Sequence, residues 1–151
     1  MSLAITLHTL AAAIWVGGMF FAYIVLRPVA AQLLEPPQRL PLWSQCFSRF
    51  FPWVWMFIIL LPATGYWMIF RVLGGMSSVG LYVHLMHGLG WIMILLFMHL
   101  YFAPFKRLKI AVSESDWPMA GKYLNQIRLL ISINLTLGLI VIAIAAGGRY
   151  L

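Results

Sequence analysis

Four histidines are the residues of this sequence best suited to cofactor or metal chemistry. They are His8, His84, His87 and His99, and each stands within a long apolar stretch. An ionisable side chain is costly to bury in a membrane span, so a residue of this kind marks a functional candidate. Imidazole nitrogen binds both iron and copper. We therefore treat the four histidines as candidate ligands.

The spacing of three histidines places them in one layer. His8 is expected about 10 Å along the first predicted helix, and His84 and His87 about 5 to 10 Å along the third. Both helices start at the same membrane face in the topology predicted below. His84 and His87 are three residues apart and share a helix face. Such a layer can hold a haem edge-on, with His8 and His87 as axial ligands and His84 as the substitute for His87.

His99 stands apart from this layer. It lies about 18 Å further along the third helix and has no histidine at its level. Arg128 and Asn125 on helix four are its nearest polar candidates by depth. His99 could serve a second site, a proton path or a five-coordinate haem. It could equally form an ordinary hydrogen bond between helices.

Other residues near the histidines suit either a haem or copper. Arg71 and Arg149 are expected at the same face and can pair with haem propionates. Glycines inside the spans, among them Gly18, let a flat macrocycle or another helix approach the backbone. Met86 lies near His84 and His87, and a thioether is a soft ligand for copper.

The composition places these residues in a membrane. Apolar residues make up 64% of the 151 and charged residues only 9%, whereas soluble domains carry roughly a quarter charged residues. A membrane-spanning helix needs about 20 apolar residues, so the chain has room for four. We predict an all-α, integral membrane four-helix bundle that forms a single domain over residues 1–151, with its first helix retained as a span.

The predicted helices cover about 3–31, 47–73, 80–112 and 117–146. Glu35-Pro36-Pro37 is expected to end helix one, and 40–49 to form a short interfacial stretch. Gly74-Gly75 ends helix two, and Asp116 with Pro118 starts helix four.

The basic residues predict the orientation. Seven lie in or beside the links between helices one and two and between helices three and four: Arg27, Arg39, Arg49, Lys106, Arg107, Lys109 and Lys122. Only Arg71 and Arg149 lie at the other face. The positive-inside rule then puts both termini on the outer, periplasmic side of a bacterial inner membrane. Since the net charge of +7 is explained by this topology, nucleic acid is not an expected partner.

Several site classes are excluded. The single cysteine, Cys46, permits no internal disulfide and no cysteine-based zinc site. The three acidic residues, Glu35, Glu114 and Asp116, are all expected in the links. No carboxylate is therefore available within the bundle for hydrolytic acid–base chemistry.

Two stretches resemble a known superfamily. His8, followed by Trp15-Val-Gly-Gly18, resembles the first-helix signature of the CopD-type copper-resistance proteins and the HemJ-type protoporphyrinogen oxidases. Phe47-Ser48-Arg49 with Thr64-Gly65 resembles the second helix of the CopD group. The segments Asn125-Gln-Ile-Arg128 and Asn134-Leu-x-Leu-Gly138 are similar to the end of small CopD-domain proteins.

This resemblance implies two different chemistries. HemJ-type proteins bind haem b through a first-helix histidine, the position of His8, and oxidise protoporphyrinogen. They carry a lysine near the histidine of the third helix, where this chain has none before Lys106. CopD-type proteins are linked with copper uptake, although no Met-x-x-Met pair stands in the spans here.

The first prediction is a haem b-binding inner-membrane redox protein, which passes electrons or oxidises a quinol or porphyrinogen. Whether it is an enzyme, as a HemJ-like oxidoreductase would be, stays open. The alternative is a copper-binding protein of CopD type that uses the same histidines with Met86 or Met98. A third reading is a structural subunit whose histidines only join helices. The lipid-facing surfaces leave room for a homodimer, which no motif fixes.

Overall fold

The computed structural model describes residues 2–150, apart from the side chain of Arg149. Four helices make up most of it: α1 (Ser2–Leu33), α2 (Pro36–Arg71), α3 (Leu81–Ser113) and α4 (Trp117–Gly147). Each is long and apolar enough to cross a membrane, and no strand occurs over residues 2–150. The predicted all-α, multi-pass membrane architecture is therefore confirmed.

The links define two ends of the molecule. Residues 34–35 and 114–116 are tight connections at one end, which we call the basic end because Lys106, Arg107 and Lys109 lie next to them. The first turn of α1 and the longer link 72–80 lie at the other, which we call the histidine end. The link 72–80 contains a short 3₁₀ turn, Met76–Ser78.

Helix α2 begins earlier than the sequence predicted. It starts at Pro36 and not near Phe47, so residues 40–49 form one continuous helix with the second span and not a separate stretch. Pro36 and Pro37 occupy the first helical positions, where a missing N–H costs nothing because no carbonyl precedes it in the helix. Leu40 and Trp43 are then buried against the other helices. The Pro-Pro pair therefore starts one helix as well as ending another.

The helices pack so that α1 lies against α2 and α4, and α3 lies against α4. Aromatic side chains join α2 to α3 across the middle of the bundle. The Phe51 ring lies 5.4 Å from Phe97 and 4.7 Å from Phe105 between centroids. Across the bundle, α1 meets α3 where Trp15 packs edge-on to Phe97 at 6.4 Å. Aromatic rings therefore join helices one and three at this level.

Both α1 and α3 contain a widened, π-helical turn. These turns are Phe21–Leu26 and Tyr101–Phe105. Prolines stand close by, at Pro28 and Pro104, where a missing backbone N–H interrupts the regular hydrogen-bond ladder. Such turns often occur at functional positions, and the turn in α1 borders the interior cavity described below.

Candidate metal site at the histidine end

His8 is half-buried against α2, and its hydrogen bonds fix which ring nitrogen is free. Its Nδ1 lies 2.8 Å from the Thr64 hydroxyl oxygen. The single hydroxyl proton of Thr64 is donated to the Leu60 carbonyl, 2.7 Å away, so the hydroxyl can only accept from His8. The hydrogen-bond network thus assigns the imidazole proton to Nδ1. It leaves Nε2 with a lone pair for a metal, as in histidines that ligate metals.

The His8 ring also lies next to Gly65 of α2. A Cβ atom built at Gly65 would lie 3.5 Å from Cε1 of His8, in ordinary van der Waals contact. The Thr64-Gly65 pair therefore supplies both the hydrogen-bond acceptor and the flat surface on which the His8 ring rests.

His87 on α3 is held by two aromatic side chains. The Tyr66 hydroxyl lies 2.6 Å from its Nε2. The indole N–H of Trp91 donates to the same nitrogen at 3.1 Å and reaches the Tyr66 hydroxyl at 3.4 Å. A metal that binds Nε2 of His87 would have to displace these contacts.

One turn of α2 holds both histidines at the same level. His8 contacts Thr64 and Gly65, and His87 bonds Tyr66. The structure therefore brings the two rings to one depth of the bundle. Over residues 2–150, no three His, Cys, Asp or Glu side chains converge on a common point.

The other predicted ligands lie further out. His84 is exposed one turn before His87, on the same helix face, and Arg71 is exposed at the end of α2. His99 is exposed on α3. The predicted partners of His99 are engaged with each other, since Arg128 donates to Asn125 at 3.3 Å. The side chain of Arg149 lies outside the described residues.

Trp15 and Gly18 have packing contacts in the structure. Trp15 is only 3% exposed and packs against Phe97. A Cβ at Gly18 would collide with the Phe50 ring. The first-helix signature therefore sets how closely α1 approaches α2, at the level below the histidines.

An apolar cavity of about 220 Å³ lies between the histidine layer and the basic end. Its wall includes Met19, Cys46 and Asn134. The Asn134 amide donates to the Met93 carbonyl at 3.2 Å, while its oxygen Oδ1 and the Trp43 indole N–H are buried without a partner. The cavity thus combines two sulphur atoms with a wall that is otherwise almost entirely hydrocarbon.

Sequence reasoning missed the residues that hold the histidines. Thr64 stood out only as part of a family resemblance, and Tyr66 was not singled out. Trp91 lies four residues after His87, so helical spacing was an available signal for that contact. Tyr66 gave no such signal, because its contact depends on how α2 and α3 pack.

The comparison with protein families decides the membership of this chain. The family model described as copper resistance protein D, CopD, matches residues 44–147. The chain belongs to the CopD family. The match covers most of α2, all of α4, and α3 with His84, His87 and His99, while His8 lies before it. No curated protein and no solved structure matches significantly.

Membership of the CopD family confirms one half of the resemblance drawn from the sequence. A link to the HemJ-type oxidases is not shown. The sequence analysis predicts haem b as the first choice and copper as the alternative. Membership of the CopD family fits copper better than haem b.

Proposed function

We propose that this CopD-family protein binds copper ions within the membrane, at the histidine end, and serves copper uptake or resistance. The family match over residues 44–147 carries the proposal. The geometry of the histidine end supplies candidate ligands. Copper is the cargo in this proposal, and the protein needs no other group to bind it.

His8 is the ligand best prepared for a metal. Its Nδ1–H bond to Thr64 fixes the ring and directs Nε2 away from the acceptor. A second bond of this kind both orients the imidazole and makes the free nitrogen more basic. His8 therefore offers an oriented lone pair at little further cost in side-chain entropy.

His87 and His84 would complete the site from α3. They share one helix face, and Met86 lies between them in the sequence. Binding at Nε2 of His87 requires the Tyr66 hydroxyl to move away, because it lies 2.6 Å from that nitrogen. Imidazole and thioether together suit copper.

The interior cavity supports movement of copper beyond this layer. Met19 and Cys46 both line it, and sulphur ligands select Cu(I). A cuprous ion that leaves the histidines would find these two soft ligands next along the bundle. Under this proposal the basic end faces the cytoplasm of a bacterial cell, as the distribution of Lys and Arg predicts.

The residues fit a bis-histidine haem less well. His8 can supply one axial ligand, but Nε2 of His87 is already engaged by Tyr66 and Trp91. Trp15 and Phe97 are in edge-on contact between α1 and α3 at the next level. The haem prediction, with its quinol or porphyrin substrates, therefore remains a prediction without structural support.

Competition titration of Cu(I) against a chromophoric chelator tests the proposal on detergent-purified protein. We expect H8A/H87A to lose at least about a hundredfold in copper affinity, two ligand losses at roughly tenfold or more each. H99A is the matched control, since it removes an exposed histidine from the same helix and should leave affinity unchanged. Equal affinities for wild type and H8A/H87A would overturn the proposal.

A further inference from the structure

A second, larger pocket opens at the basic end, away from the histidines. Its volume is about 500 Å³, and it lies between the first turns of α2 and α4. Three cationic side chains line it: Arg39, Lys122 and Arg128. The lining includes no acidic residue. The copper site proposed above uses none of these residues.

Two of the cations keep buried donors without a partner. Arg39 gives one N–H to the Leu34 carbonyl at 3.3 Å, and Arg128 gives one to Asn125 at 3.3 Å. The Nε–H groups of both arginines are buried and unpaired. A buried donor without an acceptor is costly, whereas a charged acceptor makes a strong bond with a guanidinium. This arrangement lacks an acceptor that carries negative charge.

The helices add positive potential to the same place. Pro36 begins α2, Trp117 and Pro118 begin α4, and all three line the pocket. Helix N-termini carry partial positive charge and attract anions. Asp116 caps α4 through the backbone N–H of Met119 at 3.1 Å, and it does not line the pocket.

We infer that this pocket binds a phosphate group. Arginine forks match the tetrahedral oxygens of phosphate in a bidentate manner, and two arginines line this pocket. The volume exceeds that of inorganic phosphate, and Trp117 at its rim is typical of the membrane interface. The phosphate comes either from an anionic lipid headgroup or from a soluble phosphate compound.

Native mass spectrometry and thermal shift on the full-length protein in detergent test this inference. The probes are phosphatidylglycerol, phosphatidylcholine and inorganic phosphate. The test variant is R39Q/R128Q. The control is R49Q/R107Q, which removes the same charge from exposed arginines in the same half of the molecule.

A lipid source predicts that wild type binds phosphatidylglycerol at least tenfold more tightly than phosphatidylcholine. R39Q/R128Q should lose this preference, and R49Q/R107Q should keep it. A soluble source predicts instead that inorganic phosphate raises the melting temperature of wild type and of the control but not of R39Q/R128Q. Either pattern supports a phosphate site. Equal binding by the two double variants, or no binding to wild type, would overturn it.

Lys122 provides a second variant that leaves the fold intact, because its side chain is exposed. K122Q should weaken binding of the effective probe several-fold, whereas K109Q, another exposed lysine in that half, should not. If R39Q/R128Q fails to fold, the comparison of K122Q with K109Q tests the inference instead. Equal binding by K122Q and K109Q would then contradict the inference.

Discussion

The two ends of this bundle satisfy their polar groups in opposite ways. At the histidine end, the imidazoles are bonded to side chains of α2, His8 to Thr64 and His87 to Tyr66. At the basic end, Arg39 and Arg128 each keep a buried N–H without an acceptor. The first end therefore leaves Nε2 of His8 open to a metal, whereas a metal at Nε2 of His87 must displace Tyr66. The second lacks an acceptor that a ligand can supply.

This difference indicates what each end selects. The histidines can coordinate a cation through a ring nitrogen. The arginines at the basic end can donate hydrogen bonds to an anion. The aromatic core around Phe51 and Phe97 separates the two sites. Changes at one end should therefore leave binding at the other unaffected, and the following variants test that independence.

Among variants that keep both histidines, Thr64→Val should lower the copper affinity of the histidine end the most. Valine has a similar shape but no hydroxyl, so Nδ1 of His8 loses its acceptor and the ring loses its orientation. Loss of such a supporting bond typically lowers metal affinity 10- to 100-fold. Chelator competition should show this loss for Cu(I), while binding of the phosphate probe stays at the wild-type level. Unchanged copper affinity would show that Thr64 does not orient a ligand.

Tyr66→Phe should have a smaller effect of opposite sign. Phenylalanine keeps the ring but removes the hydroxyl that lies against Nε2 of His87. Since a metal no longer has to displace that hydroxyl, whose net contribution is about 1 kcal/mol, copper affinity should rise several-fold. The same titration measures it, with Tyr82→Phe, another tyrosine at that end, as control. A loss of affinity would instead make the Tyr66 hydroxyl part of the copper site.

Gly138→Ala should change binding at neither end. A Cβ at Gly138 would lie 2.7 Å from a methyl of Val16 and 3.2 Å from the Met93 side chain, so the core between the two ends must shift. Such overpacking costs about 1–3 kcal/mol. Thermal unfolding in detergent should show the lower stability, with Gly17→Ala, where a Cβ meets nothing within 4 Å, as control. A large change in copper affinity would mean that the ends are coupled through the core.

The axial position of a residue could be predicted from the sequence, because helical rise converts residue number into depth. Counting residues gave four spans and put His8 and His87 in one layer, and both rings do meet the same turn of α2. The start of α2 escaped prediction, since Pro36-Pro37 is compatible with either the end or the beginning of a helix.

The side of the helix on which a residue finds its partner could not be predicted in this way. That depends on how α2 packs between its neighbours, which no local pattern in an almost uniformly apolar chain reveals. The preference for haem followed from the shared depth of the histidines and from the resemblance to HemJ-type proteins, whereas the contacts of Tyr66 and Trp91 with Nε2 of His87 became evident only with the packing. The basic pocket likewise required the first turns of α2 and α4 to meet.

Metal analysis together with an absorption spectrum tests the central claim most directly. The protein would be purified in detergent from cells supplied with both copper and haem precursor, alongside H8A/H87A and H99A. We predict copper in wild type and H99A, its loss from H8A/H87A, and no Soret band in any of them. Stoichiometric iron with a Soret band that shifts on reduction and disappears in H8A/H87A would contradict the copper assignment and establish a haem protein.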